Sequence, residues 1–371
     1  MHTPVVIIIP AYHPPKEFPV FLHALRQKTD AFVLVVDDGS GEDYYERFVE
    51  ATRIEHCCLL RLVKNGGKGR ALRHAFAFAK ERFPSQTLYI TADCDGQHTP
   101  EDVVRMEKAI RRRPSALILG CRSFDKKDVP LRSRFGNKVS ARLFQLFFGS
   151  YIRDTQTGLR AFSHERLSFL LAIRGDGFDY EMRVLTHCGT HHIPIACIDI
   201  TTRYMKNAPN GERVSHFSPL RDSIKILGVL CASTIRYTIS SVLCALLDVL
   251  VFFLLERFVF RGSEGAVFVL LSTVGARIIS SLLNFLLNFT FVFREKSRNS
   301  VVKYYAVWLG RLALSYGLTL LVRPLSTSVL SLTLMKGGID LLLSFFTYRL
   351  LRTWVFAPDR RSDNGSPSVA G

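Results

Sequence analysis

The apolar stretches at the end of the chain constrain its fold most strongly. Crossing a hydrocarbon layer of about 30 Å takes about 20 helical residues. The stretches that reach or approach this length are Tyr237 to Leu255, Ala266 to Phe289, Tyr304 to Val322 and Ile339 to Phe356. They predict an all-α membrane domain with four transmembrane helices over residues 235–356, behind a first part that ends near residue 220.

The fourth span is the least regular. The stretch before it, Leu325 to Met335, is also apolar, and Lys336, Gly337 and Gly338 interrupt it. Irregular backbone at membrane depth is tolerated where protein covers it, so a re-entrant or interfacial piece is the alternative here. The tail from Ala357 to Gly371 is polar and contains Pro, Gly and Ser, and we expect it to be disordered.

Positive charge is concentrated in the loop Arg294 to Lys303 and in the segment Arg349 to Arg361. Lys and Arg next to membrane spans are retained in the cytoplasm. We therefore expect an integral protein of the cell membrane, with its first domain and its C-terminus both cytoplasmic.

The net charge of +17 would suit either nucleic acid or an anionic membrane. Because the chain also carries the apolar stretches, we expect the lipid bilayer as partner and no nucleic acid. The eight cysteines lack the paired spacing of metal sites, and we expect reduced thiols.

Residues 1–215 alternate short apolar runs with stretches able to form helices. The runs are Val5 to Ile9, Phe32 to Val36, Leu59 to Val63, Leu88 to Ala92 and Ala116 to Leu119. This alternation is typical of an α/β domain with a parallel sheet and crossover helices. Residues 216–234 are expected to form an interfacial helix or linker.

Polar clusters follow four of these runs, at the strand ends where such folds bind ligands. They are Pro10-Ala11-Tyr12, Asp37-Asp38-Gly39-Ser40, Asn65-Gly66-Gly67-Lys68-Gly69 and Asp93 to Gln97. The second cluster could be an ordinary turn, or a carboxylate that accepts hydrogen bonds from a nucleobase or ribose. The third lacks the full phosphate-loop spacing, but its N–H groups and its lysine could face an anion.

Asp93 and Asp95 carry the sharpest chemical signal. Alternate residues at the end of an apolar run project their side chains from one edge. Carboxylate oxygens so arranged suit Mg²⁺ or Mn²⁺, which completes its coordination shell with waters and substrate phosphates. A solvated turn is the alternative, and the Asp-x-Asp pattern alone does not decide between them.

The stretch from Leu131 to Gly149 interleaves cations with aromatic residues, which predicts a helix with a basic N-terminal part and an apolar face. The cations are Arg132, Arg134, Lys138 and Arg142. Such a helix can lie at a membrane surface, where its cations meet lipid phosphates. A core helix with a solvated basic face fits the pattern equally well.

Ionisable residues also fall within or near the apolar spans, where such groups usually pair or line a polar path. They are Asp248, Arg277, Arg311 and Asp340. Two acids and two bases indicate structural pairing. His187, His191 and His192 imitate a metal cluster but have no carboxylate or thiol at suitable spacing, so we interpret them as a polar helix end.

Together, in this order and spacing, the clusters resemble family-2 glycosyltransferases with a GT-A, Rossmann-like fold. The likeness is greatest to the polyprenyl-phosphate branch, which includes dolichyl-phosphate mannosyltransferase, and it runs from Val5 to about Leu227. Further motifs that carry it are Gly120-Cys121-Arg122, Asp154 to Phe162, Phe178 to Glu181 and Ser215 to Ser223. The later segment from Ile235 to Phe356 is similar to the GtrA-like membrane domain, through Arg236-Tyr237, Asp248, Asn284, Asn288 and Trp354-Val355-Phe356.

This resemblance implies a nucleotide sugar as donor, polyprenyl phosphate as acceptor and Mg²⁺ or Mn²⁺ as cofactor. The residues implied in metal binding are Asp93, Asp95 and Gln97. Those implied in nucleotide-sugar binding are Pro10, Ala11, Tyr12, Asp37, Asp38, Lys68, Asp93 and Asp95. Those implied in binding the acceptor phosphate are Arg122, Arg134, Asn137 and Ser140, and catalysis would rest on Asp93, Asp95, Arg122 and Arg134.

The implied reaction is an inverting transfer of a hexose from GDP-mannose or UDP-glucose. The Gln-x-x-Arg-Trp pattern of processive polysaccharide synthases is absent, so we expect one sugar per event. The alternative is a translocase of lipid-linked sugar whose soluble domain only binds cargo, but the intact Asp93, Asp95 and Gln97 cluster favours the enzyme. The membrane domain could also join copies into a homo-oligomer.

Overall fold

The computed structural model describes residues 3–122, 131–201, 219–260, 266–293, 299–325 and 329–356. The chain forms two compact units, Met1–Leu230 and Cys231–Gly371. The tail 357–371 and residues 294–298 of the basic loop, both singled out in the sequence, lie outside the described residues, as do the first three residues of the predicted linker.

The first unit contains a seven-stranded sheet with the strand order β3-β2-β1-β4-β6-β5-β7. The strands are β1 (Val5–Ala11), β2 (Phe32–Asp37), β3 (Cys57–Arg61), β4 (Leu88–Thr91), β5 (Leu117–Arg122), β6 (Arg160–Ser163) and β7 (Ile195–Ile200). The predicted α/β fold is confirmed, since parallel strands form most of the sheet.

Strand β6 departs from the prediction of a parallel sheet, because it pairs antiparallel with both β4 and β5. The chain before it already lies at the carboxyl edge, where the Thr91 hydroxyl donates to the carbonyl of Gly158 over 2.8 Å. A strand that starts at this edge can only run back through the sheet.

The third strand begins two residues earlier than the predicted run, at Cys57. It pairs only with β2, in a register that places Cys57 beside Val33. Val63, which completes the apolar run in the sequence, is fully exposed. Strand β3 lies at the edge of the sheet and has hydrogen-bond partners on one side only. Its ends therefore depend on pairing with β2, and the apolar run alone did not predict them.

Helices cover both faces of the sheet. They are α1 (Phe18–Arg26), α2 (Tyr45–Thr52), α3 (Lys68–Arg82), α4 (Pro100–Arg112), α5 (Leu131–Phe148), α6 (Leu167–Ala172) and α7 (Asp179–Thr190). Val6 and Ile8 of β1 share a buried cluster with α3, α5, α6 and α7. Ile7 and Ile9 share another with α1, α2 and α4. Burial on both faces explains why the central strand β1 is apolar at every position.

The second unit is helical. Its long helices are α8 (Pro219–Leu254), which begins in the first unit, α9 (Ala266–Leu287), α10 (Ser300–Val322) and α11 (Val329–Leu350). Short π-helical turns, Leu255–Val259, Asn288–Phe293 and Leu351–Val355, follow α8, α9 and α11. The predicted linker and first span are therefore one continuous helix from Pro219 onward.

Three segments of the described chain are long and apolar enough to cross a membrane, where four were predicted: Arg221–Val259, Leu271–Phe293 and Ser300–Leu325. The fourth predicted span lies within α11 and its final turn. Helix α11 also runs through Lys336 to Gly338, so these residues interrupt the apolar pattern without breaking the helix. A glycine costs a helix only about 1 kcal/mol, and Lys336 pairs with Asp340 one turn later.

Candidate active site

The predicted clusters meet at the carboxyl edge of the sheet because their strands are neighbours. Asp38 donates its backbone N–H to the carbonyl of Ala11, and Ala92 donates to Ile8. The segments after β2 and β4 are thus fastened to either side of β1. Pro10 and Ala11 belong to β1 itself and are buried, so their part in a site is through the backbone.

Asp93, which is half-buried, lies at the centre of a cluster of charged side chains. The ammonium of Lys68 is 2.5 Å from Asp93 Oδ1 and 2.8 Å from Glu181 Oε1. His98 Nε2 lies 3.4 Å from Asp93 Oδ2. Burial by itself would raise the pKa of Asp93, but Lys68 and His98 outweigh it and hold that pKa well below its usual range. Asp93 is therefore a fixed negative charge.

Asp95 has the opposite electrostatic character. Burial first, and then the charge of Asp93, raise the pKa of Asp95 to about 6. One of its oxygens accepts the backbone N–H of Gln97 over 3.1 Å. Each of these two carboxylates makes ionisation of the other less favourable, and a bound cation would relieve the repulsion between them.

The donor set suits a hard divalent cation that brings other ligands with it. Among the described residues no group of three or more His, Cys, Asp or Glu side chains could hold a metal ion. Two carboxylates are the usual protein share of an Mg²⁺ site that is completed by waters and substrate phosphates. Asp93 and Asp95 fit that role, with Gln97 beside them.

The glycine-rich loop is engaged within the protein. The carboxylate of Asp38 accepts the N–H groups of Gly66 and Gly67, over 3.0 and 2.8 Å. The N–H groups of Gly69 and Arg70 donate to the carbonyl of Asp176. All four N–H groups therefore have acceptors inside the protein in this structure.

The two aspartates after β2 differ in their surroundings. Asp37 accepts the N–H of Ser40 and pairs with Arg61, which gives it a structural place in the turn. Burial raises the pKa of Asp38 despite its hydrogen bonds from the loop. Of the two, Asp38 lies nearer the glycine loop.

Tyr12 begins an aromatic stack that the sequence analysis missed. Its ring lies 3.8 Å from that of His13, which lies 4.4 Å from that of Tyr44. His13 has a left-handed backbone conformation (φ 48°), and its backbone N–H donates to the Ser40 hydroxyl. The only sign of this stack in the sequence is that Tyr12, His13 and Tyr44 lie in or close after the first two polar clusters.

The residues predicted to bind an acceptor phosphate have partners inside the protein. The guanidinium of Arg122 contacts both oxygens of Asp154, over 2.6 and 3.1 Å. The amide of Asn137 donates to the carbonyl of Arg153 and accepts the N–H of Thr155. Ser140 is buried, and Arg134 is half-buried on α5. These contacts join α5 and β5 to the segment before β6.

The apolar part of helix α5 packs in the core of the first unit. Phe144 is fully buried and stacks on Phe148, with ring centroids 4.5 Å apart, so the apolar face belongs to the core. Phe135 near the basic end is 73% exposed. The helix is thus a core element whose first half carries the half-buried Arg134 and the exposed Phe135 and Lys138.

The three histidines lie at the end of α7, as interpreted. The ring of His187 stacks on Phe169 at 5.0 Å and lies 4.0 Å from that of His191. Burial, followed by the neighbouring His191, lowers the pKa of His187 to about 4. The ring contacts of His187 with Phe169 and His191 explain why these histidines lie together.

Ionisable residues of the membrane unit form two ion pairs, one between α8 and α9 and one within α11. Arg277 lies 3.6 Å from Asp248, which also accepts the hydroxyl of Ser280. Asp340 pairs with Lys336 and accepts the hydroxyl of Ser315. Pairing is confirmed for Asp248 and Arg277, while Lys336 was not among the predicted partners of Asp340. Arg311 lies on α10, one turn before Ser315.

Comparisons with known proteins agree with this arrangement. Residues 6–167 match the model of glycosyl transferase family 2, and residues 236–356 match that of the GtrA/DPMS transmembrane domain. An uncharacterised protein of Methanocaldococcus jannaschii is 30% identical over 186 residues, which cover 47% of this chain and 78% of that protein.

Two archaeal relatives have descriptive names. The UDP-N-acetylglucosamine–dolichyl-phosphate N-acetylglucosaminyltransferase of Methanococcus voltae is 26% identical, over 45% of this chain and 72% of its own length. Glycosyltransferase AglJ of Haloferax volcanii is 29% identical, over 60% of this chain and 70% of its own length. The chain is thus a membrane protein that belongs to glycosyl transferase family 2 and carries a GtrA/DPMS transmembrane domain.

Proposed function

We propose that this protein transfers a single hexose from a nucleotide sugar, GDP-mannose or UDP-glucose, to polyprenyl phosphate at the membrane. The observation that carries the proposal is the half-buried Asp93 and Asp95 pair, next to Lys68 at the carboxyl edge of a family-2 domain. A transmembrane domain in the same chain suits a lipid acceptor. The relative from Methanococcus voltae is named for transfer to dolichyl phosphate.

Asp93, Asp95 and Gln97 would hold Mg²⁺ or Mn²⁺. Such a cation offsets negative charge on a departing nucleoside diphosphate. Tyr12 and Asp38 lie at the neighbouring strand ends and would contact the nucleoside, whereas Lys68 would face the diphosphate. Asp37 would support this part of the site through its turn.

The acceptor supplies its own nucleophile in this proposal. A phosphate monoester has a second pKa near 6 and is largely dianionic at neutral pH. The two carboxylates that could serve a hydroxyl acceptor as a general base are both engaged by cations. Asp179 pairs with Arg183 over 2.7 Å and Glu181 pairs with Lys68. In-line placement of the phosphate, with inversion at the sugar, then suffices without a base.

Arg134 is the proposed direct contact of the acceptor phosphate, since it lies half-buried in the first turn of α5, next to the exposed Phe135. Arg122 would act with Asp154 to orient the edge of β5 next to it. Asn137 and Ser140 would hold α5 in place from its buried side.

We place the reaction on the cytoplasmic face, where nucleotide sugars are available. The basic segments Arg294 to Lys303 and Arg349 to Arg361 support this orientation. The intramembrane pairs have partners within the protein, so they do not by themselves favour a translocase.

The test is a panel of labelled nucleotide sugars, incubated with membranes that contain the full chain and with polyprenyl phosphate, followed by lipid extraction. The panel includes GDP-mannose, UDP-glucose and UDP-N-acetylglucosamine. Label in the lipid phase that depends on polyprenyl phosphate supports the proposal and identifies the donor. Donor binding without lipid product would instead favour the translocase.

A further inference from the structure

We propose that Lys68 is an internal counter-ion of Asp93 that makes binding of the divalent cation depend on binding of the nucleotide. The inference rests on the proposed function, because it assumes that Asp93 and Asp95 hold a cation next to a diphosphate. It assigns a positioning role to a residue whose expected task was only to contact the donor.

The geometry shows one cation shared between two carboxylates from different elements. Lys68 is the first residue of α3, Asp93 follows β4, and Glu181 lies in the first turn of α7. The ammonium is within 2.8 Å of both carboxylates. The side chains of Lys68 and Glu181 are only 14% and 7% exposed, so water screens these charges weakly.

The backbone around Lys68 is fixed on both sides. Gly66 and Gly67 donate to Asp38, while Gly69 and Arg70 donate to the carbonyl of Asp176. Only the side chain of Lys68 can therefore change partners. Because Glu181 already contacts the ammonium, Lys68 can leave Asp93 and remain paired.

A divalent cation and the Lys68 ammonium compete for the carboxylate of Asp93. Without nucleotide, Lys68 neutralises much of the charge that would attract the cation, and the two positive charges would repel each other. A diphosphate brought to the site offers negative charge to both. Each of cation and nucleotide should then favour binding of the other, by the same factor.

The experiment measures Mn²⁺ binding by electron paramagnetic resonance, with the full chain in lipid nanodiscs, without nucleotide and with saturating UDP or GDP. Lys68→Met removes the ammonium and keeps the length of the side chain. We expect nucleotide-free Mn²⁺ to bind about tenfold more tightly than in the wild type, as a unit charge a few ångströms away implies. The tightening of Mn²⁺ binding by nucleotide should shrink by a similar factor.

Two further variants make the test specific. Lys28→Met removes the same charge from an exposed pair with Glu101 and should leave Mn²⁺ binding unchanged. Glu181→Gln leaves Lys68 with Asp93 alone, and nucleotide-free Mn²⁺ should then bind about threefold more weakly. If Lys68→Met does not fold, the Glu181→Gln result decides: weaker binding supports the proposal, and unchanged or tighter binding overturns it.

The outcomes separate this inference from the proposed function. Unchanged or weaker nucleotide-free Mn²⁺ binding in folded Lys68→Met would contradict the role of Lys68 and leave the transferase proposal intact. If the wild type binds no Mn²⁺ even with both nucleotides, the metal part of the proposed function is wrong, and the inference is wrong with it.

Discussion

Gly158 lies so close to Asp93 that a β-carbon on it would stand 2.5 Å from Asp93 Oδ1 and 2.6 Å from Lys68 Nζ. The backbone of Gly158 is held there, because its carbonyl accepts the hydroxyl of Thr91. A side chain at this position must displace the carboxylate or the ammonium. The absence of a side chain at residue 158 is thus part of the site.

We therefore expect Gly158→Ala to lower the transfer rate by about a hundredfold, since a shift of about 1 Å in a catalytic group costs that much. The measurement is initial rate, with thermal unfolding as the check on folding. Gly228→Ala is the matched control, because nothing lies within 4 Å of a β-carbon there. Equal rates for the two variants would show that the cluster tolerates displacement.

The transfer rate should depend on the ionisation of the acceptor. Below about pH 6 the lipid phosphate gains a proton and becomes a weaker nucleophile, so the rate should fall there and be nearly level above neutrality. Rates with saturating donor at pH 5 to 8 measure this. An acceptor analogue with a lower second pKa should shift the fall to lower pH. A fall that stays in place with the analogue would assign it to a group on the protein.

The stability of the first unit should depend on His187. Its folded pKa of about 4 lies below the unfolded value of about 6.5. Between these values the unfolded chain binds a proton that the folded protein does not, so stability is full above pH 6.5 and is lost as the pH falls toward 4. The loss should be about 3 kcal/mol.

His187→Phe keeps an aromatic ring against Phe169 and removes the titration. Its unfolding temperature should fall less between pH 6.5 and pH 4 than that of the wild type, as measured by thermal scans of the protein in detergent. His23→Phe, at an exposed position on α1, is the control and should behave like the wild type. Identical pH slopes for His187→Phe and the wild type would exclude this role.

Topology can be tested at described positions on either side of α10. In a variant freed of reactive native thiols, a cysteine at Leu325, which is 72% exposed, should react with an impermeant reagent added outside the cell. A cysteine at Asn299, at the start of α10, should not react, because the basic loop before it is retained in the cytoplasm. The reverse pattern would move the proposed site to the other face of the membrane.

The sequence predicted what depends on local pattern and missed what depends on distant partners. The apolar runs located β1, β2 and β4 because both faces of those strands are buried. The run ending at Val63 misplaced β3, since an edge strand has less to define it. The antiparallel direction of β6 could not be predicted, because a run of four residues does not show whether a strand is parallel or antiparallel to its neighbours.

The site shows the same division. Asp93 and Asp95 could be found from their spacing, since both lie in one short segment after a strand. The role of Gly158 depends on a segment 65 positions along the chain from Asp93, and the pairing of Glu181 with Lys68 joins α7 to α3. The hydrogen bonds from Gly66 and Gly67 to Asp38 likewise join two polar clusters that are separate in the sequence.

The most direct test of the account is mass spectrometry of the lipid product made by the purified full chain from polyprenyl phosphate and the donor found in the panel. We expect each polyprenyl phosphate to gain one sugar and no more, with one nucleoside diphosphate released per sugar. Folded Asp95→Asn, and the wild type in excess chelator, should yield no product, because the cation that offsets charge on the leaving group is lost. Full product formation in chelator, or a lipid that carries several sugars, would contradict the account.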